Sequence, residues 1–354
     1  MEVVKLADFS DSMFQFAIWA MIIIIALTII IFLQIVAIHA HRIIKKWSRD
    51  RFLAVCRPIV LEYIVGGTNE LPRVGRAHLY DFLLFWNNLN DSLRGDARER
   101  LIALAYSLEL NKAAVKMLRR NNVRKRFMAI ATLGHMRDDE AWGELKEGLS
   151  DKNSYLSFAS ARAMVLINAE GAMEHLIPRM MSRADWAAFN MSGILKAAGP
   201  EAISEPLAKA ALNADAEDSL SLLKYIDLAD YSTAKRVVNE LLKSAVVEEV
   251  ITACLKALKD PEALHIVRRH TFHDCWFVRV QAAAALGRVG VESDKYILME
   301  MLSDKEWWVR YRAAKALSKM PFVSAEELKN LQLDHHDRFS RDILMKAIAE
   351  GELT

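Results

Sequence analysis

Apolar residues follow two patterns along this chain, one continuous and one periodic. Residues 16–38 are almost entirely apolar, and only Thr28 and Gln34 interrupt them with polar side chains. No Asp, Glu, Lys or Arg occurs between Ser12 and His41. A helix of these 23 residues is roughly 34 Å long, enough to cross a hydrocarbon core of about 30 Å. The continuous pattern therefore predicts one membrane-spanning helix.

Neither a buried core helix nor a signal peptide fits this apolar segment as well. A helix in a soluble core rarely stays apolar on all faces for six turns. A secretory signal peptide has a shorter apolar region, basic residues before it and a small-residue cleavage site after it. Here the preceding charges are mostly acidic, at Glu2, Asp8 and Asp11. The membrane helix remains the prediction.

Beyond residue 120, apolar residues recur at a fixed interval of about 31 residues. Segments VRVQAAAALGRVG (278–290) and VRYRAAKALSKMP (309–321) align without gaps at this interval. A large apolar residue, here called the marker, ends each motif. The markers are Leu133, Met164, Leu195, Ile226, Leu258, Leu286, Leu317 and Ile348. One interval holds two helices and two turns, a unit that buries its apolar face only against its neighbours, so the pattern predicts an all-α chain with about eight helix-pair repeats.

Two segments of this periodic part resemble the HEAT-repeat family. DCWFVRVQAAAAL (274–286) and DKEWWVRYRAAKAL (304–317) match the variety with short units, which bilin lyases also carry. Their Val-Arg and Ala-Leu positions align, whereas the Asp is shifted by one residue between them. The resemblance covers about residues 121–321 and extends more weakly to Gly351. It implies a HEAT-type α-solenoid, a fold that serves transport receptors, scaffolds and a few enzymes, so it specifies no single function.

Charged residues recur at two positions of the repeat. Three aspartates precede the second helix of their units, where a carboxylate can cap a helix N-terminus; they are Asp151, Asp274 and Asp304. Three arginines share another position, namely Arg126, Arg279 and Arg310. They could form a stripe that reads a ligand, or they could pair with acidic residues of adjacent repeats. Pairing is favoured, because each repeat contacts only its neighbours and needs a fixed register there.

These patterns divide the chain into four sections. The sections are a short tail over 1–11, a membrane helix over 12–41, a basic juxtamembrane helix and helical cap over 42–120, and the HEAT-type solenoid over 121–354. In the third section, Pro58, Gly66-Gly67 and Pro72 are expected to interrupt the helical pattern. An apolar stripe around Trp86 follows, and Gly95-Asp96 is expected to begin a further helix. Such a cap covers the first repeat, as solenoids require at their ends.

The distribution of charge predicts the orientation in the membrane. Residues 1–41 carry a net charge of −2, residues 42–126 carry +10, and residues 127–354 carry −6. Because positive residues remain on the cytoplasmic side, the N-terminus is predicted outside and the repeats in the cytoplasm, at the inner (plasma) membrane. An odd number of cysteines, three, agrees with a reducing compartment. The acidic far section argues against nucleic acid as a partner.

Basic side chains form two candidate sites for an anionic lipid surface or another anion. The first set follows the membrane helix and contains Arg42, Lys45, Lys46 and Arg49. The second set precedes and opens the repeats and contains Arg119, Arg120, Arg124 and Lys125. The alternatives are the usual positive flank of any membrane helix and a solvated repeat junction.

Aromatic and amide side chains are candidate contacts to a protein partner. Trp276 and Trp307 share one repeat position, and Trp308 and Tyr311 follow closely. Aromatic residues at the rim of a solenoid are favoured contact anchors, although packing between repeats is an equal alternative. Within the bilayer, Gln15, Thr28 and Gln34 could form hydrogen bonds with a partner helix.

No motif predicts a catalytic, cofactor or metal site. A group of metal-binding residue types lies within eleven positions but matches no common zinc spacing; it consists of His265, His270, His273 and Cys275. The segment 334–337 is predicted as a turn before the last helix. The chain has no Walker-type loop and no Gly-x-Ser-x-Gly, and it lacks the His-Glu dipeptides that resemblance to a di-iron deoxyhypusine hydroxylase would require. The protein is therefore predicted not to be an enzyme.

A second resemblance concerns function. WNNLNDSLRGDARERL (86–101), after a basic single span, is similar to a group of bacterial membrane-anchored HEAT proteins. This implies association with membrane glycosyltransferases that make surface polysaccharide. The predicted function is a scaffold that docks or regulates a protein partner, a membrane enzyme, in a membrane complex. Two alternatives stay open: a lipid- or nucleotide-sensing regulator that uses the basic patch, and an unrecognised HEAT-type enzyme.

Overall fold

The computed structural model describes residues 2–67, 70–183, 185–186, 191–335 and 337–351, with side chains described at Trp19 and from Met21 onward to residue 350. All regular elements among these residues are helices, as the sequence predicts. The chain forms two compact units, residues 1–120 and residues 121–354.

Unit 1 is built on one long helix. Helix α1 runs from Glu2 to Val65 as a single stretch of 64 residues, which is about 96 Å at 1.5 Å per residue. Three shorter helices complete the unit: α2 (Leu79–Ser92), α3 (Asp96–Ser107) and α4 (Leu110–Leu118). Helix α3 packs against α1, α2 and α4.

The predicted interruption at Pro58 is wrong, because α1 continues through this residue. A proline inside a helix removes one hydrogen bond and costs about 3 kcal/mol. The Pro58 side chain lies on the exposed side of α1. The opposite side carries a buried apolar stripe, formed by Leu53, Cys56, Val60 and Ile64. Burying such side chains stabilises by about 1.5–3 kcal/mol each, enough to offset the proline.

Helix α1 ends at the predicted pair of glycines. Gly66 has a φ of 81°, in the left-handed region that side chains with a Cβ rarely adopt. A Cβ at this position would also collide with the Arg100 guanidinium. That guanidinium donates through Nη1 to the carbonyl oxygen of Ile64 at 3.4 Å, so α3 holds the C-terminal end of α1.

The apolar stripe of α2 supplies the core of unit 1. Phe82, Leu83 and Trp86 are fully buried, and Trp86 Nε1 donates to the carbonyl oxygen of Leu101 at 3.0 Å. A buried indole keeps its N–H satisfied in this way. Gly95, with a φ of 60°, is the residue that precedes α3.

Unit 2 contains helices α5 to α19. Their bounds are α5 Val123–Met136, α6 Trp142–Gly148, α7 Ser154–Ile167, α8 Ala169–Ser182, α9 Met191–Ala198, α10 Pro200–Asn213, α11 Ala216–Leu223, α12 Tyr231–Ser244, α13 Glu248–Ala257, α14 Leu264–His270, α15 Trp276–Val289, α16 Asp294–Met301, α17 Trp307–Leu317, α18 Ala325–Asp334 and α19 Arg338–Gly351. Short 3₁₀ turns cover Asp139–Ala141, Ile226–Leu228 and Pro261–Ala263.

The helices of unit 2 form two layers. In the first layer, odd-numbered helices pack side by side, as α5 does on α7, α13 on α15, α15 on α17, and α17 on α19. In the second layer, α8 packs on α10 and α10 on α12. Contacts such as α7 with α8 and α18 with α19 join the layers. This arrangement is the predicted α-solenoid of stacked helix pairs.

The markers lie near the C-terminal ends of the odd-numbered helices. Seven of them, from Leu133 to Leu317, are buried. The eighth, Ile348, is only half-buried, and Leu344 one turn earlier is fully buried in its place. Helix α19 is the last helix of the described residues, where the layer ends and the packing position shifts by one turn.

Candidate functional site

Arginines at the repeated position bridge neighbouring repeats. Arg126 Nη2 donates to the Asp151 carboxylate, and Arg279 donates through Nε and Nη2 to both carboxylate oxygens of Asp304, at 2.7 and 2.9 Å. The Asp304 carboxylate raises the pKa of the Arg279 guanidinium. In both pairs the carboxylate belongs to the loop that opens the next repeat, so these two arginines pair as predicted. Arg310 instead donates to carbonyl oxygens of the loop before its own helix.

The aspartates predicted as helix caps do not occupy the N-cap positions. The N-cap residues of α7, α15 and α17 are Asn153, Cys275 and Glu306. Asp151 Oδ1 accepts a hydrogen bond from the backbone N–H of Asn153, and Asp304 Oδ1 accepts one from the backbone N–H of Glu306, both at 2.8 Å. Each carboxylate therefore shapes the loop and holds the arginine of the preceding repeat. Asp274 lies one residue before the N-cap of α15.

The candidate aromatic residues lie at the N-terminal ends of α15 and α17. Trp276 and Trp307 are the first residues of these helices and are 41% and 40% exposed. Trp307 stacks on Tyr311 with ring centroids 5.3 Å apart. The Trp308 ring contacts the Trp307 ring edge-on. Trp276 meets Phe277 edge-on. The described ring contacts of each tryptophan are thus with neighbours on its own helix, and their outer faces remain open to a partner.

Tyr311 also connects α17 with the last helix. Its hydroxyl donates to the Glu350 carboxylate at 2.9 Å, and Lys315 Nζ donates to the same group at 3.1 Å. Lys346 lies over the Tyr311 ring, 5.6 Å from its centroid. The Lys315 ammonium, followed by the Tyr311 hydroxyl, lowers the pKa of Glu350. One edge of the aromatic cluster is therefore occupied by charges from the chain itself.

The basic candidates lie on exposed surfaces of their units. Arg42, Lys45 and Lys46 are exposed on α1, and Arg49 is half-buried and pairs with Asp50 at 3.0 Å. The second set is exposed at all four positions: Arg119 and Arg120 end unit 1, and Arg124 and Lys125 lie in the first turn of α5 in unit 2.

The polar candidates within the apolar part of α1 differ in their bonding. Gln34 is exposed. The Thr28 hydroxyl donates to the Ile24 carbonyl oxygen at 2.8 Å, so its hydrogen is used within its own helix. The side chain of Gln15 lies outside the described residues.

Two of the histidines near α15 form hydrogen bonds with backbone groups. His270 Nδ1 donates to the Ile266 carbonyl oxygen at 2.8 Å, and His273 Nδ1 accepts from the Cys275 amide at 3.1 Å. Burial lowers the pKa of His270. Across the part of the chain that the structure describes, no three His, Cys, Asp or Glu residues converge on a metal position. The predicted turn before the last helix lies between Asp334 and α19, and its His336 is outside the described residues.

A cleft of about 190 Å³ lies beside α12 and the end of α13. Its charged groups pair with one another: Lys235 Nζ contacts Asp260 Oδ2 at 2.6 Å and Glu262 Oε2 at 2.9 Å, and the Tyr231 hydroxyl donates to Asp260 at 3.1 Å. The Lys235 ammonium is the main cause of the lowered pKa of Asp260. The cluster thus joins two repeats through satisfied charges.

The structure also brings together residues that the sequence motifs do not mark. The position two residues before each marker is exposed or half-buried in every repeat. Its occupants, here called the basic row, are Ala131, Arg162, Gly193, Lys224, Lys256, Ala284, Lys315 and Lys346. Five are basic and the others are small, and none is acidic. The repeat interval itself could have revealed the row, since Lys346 follows Lys315 at the same interval as the markers.

Comparison with known families agrees with the repeat. The family model described as HEAT repeats matches residues 221–318 and 272–341. No curated protein sequence matches the chain significantly. Among solved structures, an engineered protein is 16% identical over 77% of this chain and 85% of its own, with a TM-score of 0.32. Importin beta is 13% identical over 86% of this chain and 41% of its own, with a TM-score of 0.33. Human deoxyhypusine hydroxylase in complex with glycerol is 15% identical over 78% of this chain and 98% of its own, with a TM-score of 0.27. Similarities to solved structures at this level assign no function.

Proposed function

We propose that this HEAT-repeat protein is a non-enzymatic scaffold, anchored in a membrane by α1, that docks or regulates a protein partner in a membrane complex. HEAT repeats are stacked units that present extended surfaces for protein interaction. The observation that carries the proposal is the continuity of α1, which joins an apolar segment exposed on all its faces to residues that pack in unit 1.

The apolar segment of α1 supports the anchor. Ile22, Ile23, Ile24 and Ile25 occupy all faces of one helical turn and are 46–63% exposed. Among the described residues, α1 is the one helix long and apolar enough to cross a membrane. Exposing such a surface to water is unfavourable by about 25 cal/mol per Å², so a lipid or protein environment fits it better.

The basic residues that follow support the orientation. Arg42, Lys45 and Lys46 are exposed on α1 immediately after the apolar segment. Their charges suit the cytoplasmic leaflet, where anionic headgroups attract Lys and Arg by about 1 kcal/mol per residue. The N-terminus then lies outside the inner membrane and the repeats lie in the cytoplasm.

The orientation is tested with epitope tags at either end of the full-length chain. In spheroplasts, protease added from outside is expected to remove an N-terminal tag and to leave a C-terminal tag intact until the membrane is permeabilised. The reverse pattern would contradict the orientation, protection of both tags would contradict the anchor, and digestion of both tags would contradict a single crossing.

The scaffold acts by positioning its partner. Tethering two molecules at one membrane raises their effective concentration to the millimolar range without any chemistry by the scaffold. A membrane enzyme is the proposed partner. The resemblance of residues 86–101 to bacterial membrane-anchored HEAT proteins favours a polysaccharide-synthesising glycosyltransferase.

Affinity purification of the tagged full-length protein in mild detergent tests the scaffold. We expect one membrane enzyme to be recovered in stoichiometric amount. Trp276→Ala with Trp308→Ala is expected to reduce that amount, whereas Tyr296→Ala should not, because Tyr296 is a similarly exposed aromatic residue on the even-numbered helix α16. Recovery of unrelated soluble proteins alone would contradict the proposal.

A regulator that senses an anionic lipid or a nucleotide is the second candidate. The observation in its favour is the exposure of all four basic residues that flank the start of the repeats in the sequence, namely Arg119, Arg120, Arg124 and Lys125. Reversing these charges to Glu should then abolish regulation while partner binding survives. If partner binding is lost instead, the residues belong to the docking surface. A stoichiometric metal or organic cofactor in the pure protein would favour an enzyme.

A further inference from the structure

The basic row lies on one face of the odd-numbered helices, together with further bases. Lys196 and Arg288 lie one or two residues after their markers, Arg312 lies five residues before its marker, and Lys319 follows the end of α17. The positions just after other markers hold Asp227, Asp260 and Glu350, and each of these carboxylates pairs with a lysine. Positions three, four or seven residues apart lie on the same face of a helix. The four further bases therefore extend the basic row along that face, which we call the odd-helix face.

Carboxylates do not neutralise most of this charge. Among the described members of the extended row, only Lys315 has an ion-pair partner, which is Glu350. Arg288 donates to the carbonyl oxygens of Leu255 and Lys256, at the end of α13. Burial, together with the charge of Arg312, lowers the pKa of Arg288. Arg312 Nε is buried without a hydrogen-bond partner, so this part of the face brings like charges together.

Helix dipoles explain only some of these bases. Lys256, Arg288 and Lys315 lie in the last turns of α13, α15 and α17, where a cation stabilises the negative end of the helix. Arg162 and Lys346 do not lie in the last turns of α7 and α19. Their presence in the row therefore needs a cause other than helix stability.

The odd-helix face also carries aromatic side chains toward the N-terminal ends of its helices. Tyr155, Trp308 and Phe339 lie nine residues before their markers, as the second residues of α7, α17 and α19. They are 56–66% exposed. In these three repeats the face thus presents an apolar anchor at one edge and a positive charge at the other, whereas Glu217 and Glu249 occupy the anchor position, exposed, in two further repeats.

We propose that the odd-helix face binds an acidic segment of a partner protein, whose apolar side chains contact the aromatic residues. This inference rests on the proposed docking function and names the chemistry of the docked segment. Adjacent helices lie about 8–10 Å apart, and one turn of a polyproline II chain spans three residues and about 9 Å, so every third side chain points to the same side. A segment with a carboxylate at every third residue therefore matches the basic row repeat by repeat.

The net charge of unit 2 favours a discrete segment over a broad anionic surface. Residues 121–354 contain 31 Lys and Arg against 34 Asp and Glu, a net charge of −3. A bilayer surface or a nucleic acid would bring dense negative charge against the acidic residues as well as the row. A narrow acidic peptide can contact the row alone, so electrostatic complementarity selects it.

Fluorescence anisotropy on the full-length protein in detergent tests this site. The probe is a labelled peptide with Glu at every third position and Leu at half of the remaining positions, long enough to follow six repeats in the polyproline II conformation. Its control has Gln in place of Glu. The site variant carries Arg162→Gln, Lys224→Gln and Lys256→Gln. The matched control removes the same charge from the even-numbered helices α10, α12 and α18; it carries Lys209→Gln, Lys243→Gln and Lys329→Gln, all exposed in the wild type.

The Glu peptide is expected to bind with a Kd in the micromolar range that rises with salt. The site variant should weaken binding about tenfold, from three exposed charge pairs of modest strength, and the control variant by less than about threefold. Three results would overturn the proposal: no saturable binding, equal binding of the Gln peptide, or equal binding by the site variant. Tighter row-dependent binding of vesicles rich in phosphatidylserine, or of oligo-dT, would also overturn it, in favour of a lipid or a nucleic acid.

Co-purification separates this inference from the proposed function. If the site variant still retains its membrane enzyme in full amount, the acidic-segment site is wrong and the scaffold stands. If the peptide binds as expected but the wild type recovers no membrane partner, the site stands and the proposed function is wrong.

Discussion

The pair Arg279–Asp304 offers a direct test of how the repeats hold together. The side chains are 8% and 13% exposed, and two parallel hydrogen bonds join them across the boundary between two repeats. Replacing Asp304 with Ala leaves a buried guanidinium without its carboxylate. Breaking a buried pair in this way costs about 3–5 kcal/mol. The lower end applies here, because Nη1 keeps two backbone acceptors, the carbonyl oxygens of His273 and Asp274.

The cost should appear locally, since each solenoid repeat is stabilised by its nearest neighbours. About 3 kcal/mol corresponds to a factor of roughly 150 in the opening equilibrium. Hydrogen exchange of the full-length protein, followed by mass spectrometry, should therefore show protection in α17 and α19 falling about 100-fold in Asp304→Ala. Protection in α5 and α7 should remain unchanged.

A matched control uses the exposed pair Lys259–Asp227, which also joins adjacent repeats and whose side chains are both 62% exposed. Exposed ion pairs contribute little, so Asp227→Ala should change exchange by less than about threefold. If Asp304→Ala alters α17 and α19 by no more than this control, the arginine does not couple the repeats. Equal loss of protection across unit 2 would show that it unfolds as one cooperative body.

Three further outcomes follow from the packing of unit 2. Gly287→Ala should lower the free energy of unfolding by about 1–3 kcal/mol, measured by calorimetry, because the new Cβ would lie 2.8 Å from Ala316 Cβ; a more stable variant would show that the helices can separate freely. Burial lowers the pKa of His270 below its unfolded value of about 6.5, so its contribution is complete above that pH and is lost as the pH falls through the native pKa. The Tm should therefore drop as the pH falls below about 6.5, and less so in His270→Gln. Burial raises the pKa of Cys254 to about 12, so maleimide should label the native protein at the half-buried Cys275 before it reaches Cys254.

The repeat could be predicted from the sequence because its signal is local and periodic. The markers recur with the interval of one helix pair, and small residues near them allow close helix contact. Gly134 and Gly287, at equivalent positions of distant repeats, each leave room for an alanine of the next repeat, at Ala163 and Ala316. Both the repeat and the helical class of the fold follow from this pattern.

The predictions that failed depended on partners distant in the sequence. Whether Pro58 ends a helix depends on the burial of the opposite side of α1, which the local pattern around the proline does not reveal. Asp is a residue type that often caps helices, but the Asp304 carboxylate accepts hydrogen bonds from Arg279 of the preceding repeat. The basic row shares the interval of the markers, but the exposure of its members on one face of the helices becomes visible only in the structure.

The unbroken course of α1 fixes the angular position of its packed C-terminal part relative to its apolar segment. A helix turns by about 100° and advances about 1.5 Å per residue. One residue inserted after Trp47 would therefore rotate Leu53 and helix α3, which packs on α1, by about 100° around the helix axis. Seven inserted residues, close to two full turns, would restore the azimuth and move the unit about 10 Å farther along the axis. A partner that contacts both the apolar segment and the packed end of α1 would thus respond to the angle that an insertion introduces more than to its length.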